Sequence, residues 1–286
     1  MRRRTLPAPA ALLLAAATLV ACGTTAKPPP SPSPSPSPSP LTLRLPVVLL
    51  GEVHDNAAQH ALRLAAFEAL LARGARPALA MEQFDRDKQP LMDRLLAQTP
   101  TPDADALVTA AGGSGWHWPH YKPFISAALK HGLPIVAANV GREEARRVMR
   151  EGLAATGFNA EVPAELLAQQ ALGIEANHCG MLDTATAGRM ALAQVARDQF
   201  MARVLQENAQ RGVVLLAGNG HVRADIGVPH WLAPALRARS EAIGVLEEGD
   251  TVTAFDSRVF TPAQARPDPC EKMRRTVPGP SPEVRR

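Results

Sequence analysis

The chain has 286 residues, 46% of them apolar, with 31 Lys and Arg against 27 Asp and Glu. Its formal charge of +4 falls to +1 once Arg2, Arg3 and Arg4 are set aside. With no basic face interleaved with aromatics, nothing points to a nucleic-acid partner. The length suits one domain with a substantial core.

Residues 1–21 read as a leader: three arginines, then the apolar run PAPAALLLAAATLV. Leu19-Val20-Ala21-Cys22 resembles a bacterial lipobox, which implies lipidation of Cys22 and anchoring of the chain to a membrane through its N-terminal lipid. Asp does not follow Cys22, so an outer-membrane address in the cell envelope is the expectation, facing the periplasm or the surface. KPPPSPSPSPSPSP closes the segment 22–40 as an extended, semi-rigid spacer. The span 41–262 is the expected folded domain, and 263–286, rich in proline and charge, the expected loose tail. Cys179 and Cys270 are the two remaining cysteines, free to pair in an oxidising compartment. No Cys-His spacing typical of structural zinc is present.

Within the domain, short apolar runs alternate with helical periodicity. Strands are expected at 46–50, 75–84, 134–138, 213–217 and 242–246, with an edge strand near 251–255. Helices are expected over 56–73, where Ala57, Ala61, Leu64 and Leu71 repeat with helical period, and over 87–98, 121–131 and 142–153. A long one is expected over 181–209, with Leu192, Val195, Ala196, Phe200 and Val204 on one face. Strands apolar throughout and separated by helices predict an α/β fold. Its sheet should be mostly parallel and covered on both faces, with a helical insertion between strands 3 and 4.

Polar residues gather where these strands end. Glu52 and His54 follow the first strand, Glu82 the second, Asn139 the third and His221 the fourth. Ligands of open α/β sheets bind beyond the carboxyl ends of the strands, so these five should converge on one crevice. Glu52 and His54 should share a side, since strand side chains alternate. Two carboxylates and two histidines suit either a divalent metal such as zinc or manganese, or an acid–base array. A second group, Trp116, His117, Trp118, His120 and Tyr121, offers flat apolar surface for a planar ligand and both phenol and imidazole donors for iron. His178 is a further loop histidine of the same donor type.

In succession, LLGEVHDNAAQH, AMEQFDRDKQPLMD, the WHWPHY segment, LPIVAANVGR, RDQFMARVL and LLAGNGHVRADIGVPHWL resemble the ChaN-like haem-binding lipoproteins. That family sits in a wider set with Tiki-like and erythromycin-esterase-like proteins. The resemblance implies haem as cofactor, a role in haem or iron acquisition with envelope transport components as partners, and a homodimer enclosing two stacked haems. It also implies a tyrosine on the iron, which here falls on Tyr121, and a partner histidine near the propionates, for which His178 and His54 are candidates. The hydrolase relatives imply an alternative. In it Glu52 activates water, His54 and His221 bind a metal or shuttle protons, and Glu82 assists.

Overall fold

The computed structural model describes residues 41–271 apart from 45, 99 and 101; the expected leader, Cys22 and the spacer lie outside the described residues. In chain order, β1 (Val47–Leu50) leads to α1 (Ala57–Ala72), β2 (Ala78–Asp85), α2 (Gln89–Leu96), α3 (Ala104–Ala111) and α4 (Lys122–Lys130). Next come β3 (Ile135–Asn139), α5 (Arg142–Glu151), α6 (Ala164–Asn177) and α7 (Thr184–Asn208). The chain then runs through β4 (Val213–Leu216), α8 (Asn219–Val222), α9 (Pro234–Arg237), β5 (Ser240–Glu247) and β6 (Ser257–Thr261). The six strands are parallel and ordered β3-β2-β4-β1-β5-β6. This is the expected α/β class, and α5 to α7 form the expected helical insertion.

Both faces of the sheet are covered, which is why the strands read as unbroken apolar runs. Val48, Leu50, Leu79, Met81, Val214 and Leu216 pack under Phe67 of α1 and Phe124 of α4. Their neighbours Val47, Leu49, Ala78, Ala80, Val213 and Leu215 face Met201, Val204 and Leu205 of α7. This parity sets up the site. Glu52 follows Leu50 on the α1–α4 side, whereas Glu82 follows Ala80 on the α7 side.

Three expectations need correction. The buried stripe of α1 is Gln59, His60, Arg63, Ala66, Phe67, Leu70 and Leu71, so Ala57 and Ala61 face solvent. The edge strand lies at 257–261, beyond the run at 251–255. Gly244 leaves open the space that Phe255 fills, since a Cβ there would stand 2.7 Å from its ring, and this uses the apolar run as packing. Residues 263–271, expected to belong to the loose tail, are tied to the domain, and 272–286 lie outside the described residues. Arg266 pairs with Asp55 at 2.6 Å and Glu247 at 2.7 Å, and Cys270 is disulfide-bonded to Cys179 between α6 and α7. No helix among the described residues is long and apolar enough to cross a membrane.

Candidate functional site

Beyond Leu50 the chain turns tightly against its neighbours. A Cβ on Gly51 would stand 2.1 Å from Asn219 Oδ1, so glycine lets that amide lie against the strand end. Asn219 donates to Val245 O at 2.7 Å and accepts from its N–H at 3.2 Å, while its own N–H donates to Glu52 O at 2.9 Å. One asparagine thus extends the ladder between β1 and β5. Asn56 caps α1, accepting from Gln59 N at 3.1 Å, and its amide donates to Glu247 at 2.6 Å.

Glu52, with its side chain fully buried, is the hub of the first network. Its Oε1 accepts from His54 Nδ1 at 2.7 Å and from the Tyr121 hydroxyl at 2.6 Å. Its Oε2 is ion-paired with Nη1 of Arg63, which is also completely buried and whose Nη2 donates to Leu50 O at 3.0 Å. Burial lowers Arg63 to about 9, still protonated at neutral pH. His60 donates from Nε2 to His54 O at 2.9 Å, and burial lowers it to about 4, keeping it neutral. Burial pushes the Tyr121 phenol above its ordinary value. The rings continue outward. His60 stacks on His120 at 4.3 Å, His120 meets His117 at 4.5 Å, and Trp116 meets His54 edge-on at 5.0 Å.

The second network lies on the α7 side. His221 Nδ1 donates to Asp198 Oδ1 at 2.5 Å, and its Nε2 stands 3.5 Å from Glu82 Oε1. Burial alone would discharge this imidazole, but Asp198 and Glu82 outweigh it and raise it to about 10. Burial likewise works to raise Glu82, yet the His221 charge and the Gly218 N–H, 2.7 Å away, bring it down to about 2. Gln170 donates to Asp198 at 3.0 Å and to Ile226 O at 2.8 Å. The two networks meet at Gly218, where a Cβ would stand 2.9 Å from His54 Nε2 and 3.8 Å from Glu82 Oε2.

The family model described as "Haem-binding uptake, Tiki superfamily, ChaN" matches residues 43–232. The chain belongs to this family. Among solved structures it is similar to ChaN of Campylobacter jejuni, at 22% identity and a TM-score of 0.60, over 75% of this chain and 86% of that one; that structure is of cofacial haem binding. It also matches the erythromycin esterase EreC at 14% identity and a TM-score of 0.41, over 72% of this chain and 71% of that one. The type III effector HopBA1 matches at 13% and 0.43, over 77% and 88%. No curated protein matches the chain.

Most of the expected site residues fall into two adjoining networks. Glu52, His54 and Tyr121 join Trp116, His117 and His120 on one face of the sheet's carboxyl edge. Glu82 and His221 stand on the other, and the two networks adjoin at Gly218, where the His54 charge also acts on Glu82. Asn139 joins neither: its amide donates to Asp85 at 2.9 Å. His178 caps α6, its ring bonded to Ile174 O at 2.8 Å beside the disulfide. Trp118 is half-buried against Phe84, with its indole N–H donating to Gly113 O at 2.8 Å, and it serves mainly as core. Among the described residues no three His, Cys, Asp or Glu side chains are arranged to hold a metal ion. The carboxylates that the alternative reading gave to zinc or manganese are held by Arg63 and His221.

Arg63, His60, Asp198 and Gln170 were not foreseen. Each sits on the buried stripe of a helix among apolar residues, and polar types at apolar positions were the available signal. Two cavities lie apart from the ring face. One of about 610 Å³ is bordered by Asp85, Arg86, Arg142 and Arg147, and one of about 170 Å³ by Gln170, Asp198 and His221.

Proposed function

We propose that this protein binds haem on the face formed by His54, Trp116, His117 and His120, as a lipid-anchored envelope protein serving haem or iron acquisition. The observation that carries the reading is the coincidence of two facts. The chain belongs to a haem-binding uptake family, and four ring side chains lie open or half-open together at the carboxyl edge of its sheet. These residues fit a porphyrin. Trp116 supplies a flat indole wall, and the imidazoles supply nitrogens for iron and N–H groups for propionates. Haem, when bound, would supply a ferric ion that these side chains could hold.

A porphyrin on an open face keeps one side in water, so a second copy of the chain closing over it would bury that side as well. We therefore read the haem-bound form as a homodimer with facing haems, like the cofacial arrangement of ChaN from C. jejuni. Lipidation of Cys22 and the Ser-Pro spacer would hold this unit off the membrane.

Hemin titrated into the purified chain, followed by Soret absorbance and sedimentation, tests the reading. One haem per chain with conversion from monomer to dimer is the expected result. Absorbance that never saturates overturns it.

A further inference from the structure

We propose that His54, oriented by Glu52, is the protein ligand to the haem iron. The inference rests on the haem-binding reading above and departs from the tyrosine that the family resemblance implies.

Ligating histidines characteristically donate one ring N–H to a carboxylate or carbonyl, which fixes the tautomer and leaves the other nitrogen's lone pair for the metal. His54 has this arrangement. Its Nδ1–H donates to Glu52 Oε1 at 2.7 Å, and Arg63 anchors that carboxylate from behind. The His54 side chain is 48% exposed, and no hydrogen bond among the described residues occupies its Nε2. Trp116 stands edge-on at 5.0 Å, a wall for a planar ligand. Gly218 lies close to the Nε2 edge, where any Cβ would approach it to 2.9 Å, so only glycine spares that edge a side chain. Nε2 would hold the iron through its lone pair, with the Nδ1–H still donated to Glu52.

Tyr121 is placed differently. It is 1% exposed, and its hydroxyl already donates to Glu52 at 2.6 Å. Phenolate ligation would require breaking that bond, removing the proton and bringing the ring to the surface. The remaining imidazoles of the two networks are also distinguished. His60 is 4% exposed with Nε2 bonded to a carbonyl, and His221 has Nδ1 on Asp198 and Nε2 turned to Glu82. His117 and His120 reach solvent, but no carboxylate among the described residues bonds to either ring.

The test titrates hemin into the full chain and into His54→Ala, Tyr121→Phe and Gly218→Ala, reading absorption and electron paramagnetic resonance. Tyr121→Phe is expected to keep the wild-type ferric spectrum. His54→Ala is expected to lose the imidazole signature and bind at least about tenfold more weakly, with added imidazole restoring the signature. Gly218→Ala, which crowds Nε2 but keeps the ring, is expected to weaken binding in the same direction. An unchanged spectrum in His54→Ala, or a phenolate spectrum lost in Tyr121→Phe, overturns the ligand assignment and leaves haem binding standing. A wild-type chain that takes up no hemin overturns both.

Discussion

The two networks at the carboxyl edge of the sheet use the same residue types for opposite ends. On the α7 side His221 lies between Asp198 and Glu82, its side chain 13% exposed, charged and turned to an acid at both nitrogens. On the α1–α4 side His54 is bonded to one carboxylate and has half its side chain in water, and no hydrogen bond among the described residues occupies its Nε2. A histidine with two acids is a closed ion cluster that holds structure. A histidine bonded to one acid, itself paired with a buried arginine, is the arrangement on which the proposed ligand role of His54 rests. The count of carboxylates around the ring, more than its position at a strand end, separates the two roles.

The largest effects should come from unpairing buried charge. His221→Leu leaves Asp198 and Glu82 facing each other, and Arg63→Ala leaves Glu52 without its buried counter-charge. Each is expected to cost about 3–5 kcal/mol in urea unfolding. His54→Ala should cost under about 1 kcal/mol, since its ring is half in water. Equal losses at His54 and His221 would erase the contrast between open and closed networks.

A pH series sharpens it further. His60 is held near 4 when folded against about 6.5 when unfolded, so the unfolded chain binds the extra proton between these values. Stability is expected to fall on acidification from pH 6.5 to 4, by roughly 2–3 kcal/mol. His60→Gln should flatten that slope. His221 acts in the other direction: its contribution is complete below about 6.5 and is lost as pH climbs toward 10. Chemical denaturation at fixed pH steps measures both.

Smaller still is Tyr121→Phe, which removes one buried hydrogen bond to a charged acceptor and should cost about 1–2 kcal/mol. Arg266→Ala should change the midpoint by less than about 1 kcal/mol, since its pairs with Asp55 and Glu247 are largely solvated. It should, however, raise the proteolysis rate of residues 263–271.

Much of the fold was legible in the sequence because buried parallel strands leave unbroken apolar runs, as at Val213–Leu216. The short α3 and the weakly patterned α6, with Leu172 exposed on it, carried no comparable period. At the site, Glu52, His54, Glu82 and His221 announced themselves by following strands. Their partners did not, because Arg63 and Asp198 arrive from helices 11 residues after Glu52 and 23 before His221. Which acid serves which histidine depends on strand parity and helix placement, and only three-dimensional packing decides that. The burial of Tyr121 was equally unreadable, since an aromatic in a loop motif looks the same whether its hydroxyl meets solvent or Glu52.

The bond between Cys179 and Cys270 spans 91 residues of chain, enclosing α7, three strands and the Arg266 contacts. Closing a loop of that length in the unfolded state contributes about 4–5 kcal/mol in the chain-entropy picture. That contribution exists only where thiols are oxidised, because the cytosol keeps such pairs reduced. Material made inside a cell and material delivered outside it would therefore share one sequence yet differ in unfolding midpoint and in thiol count. A single thiol titration would then reveal in which compartment a given batch had matured.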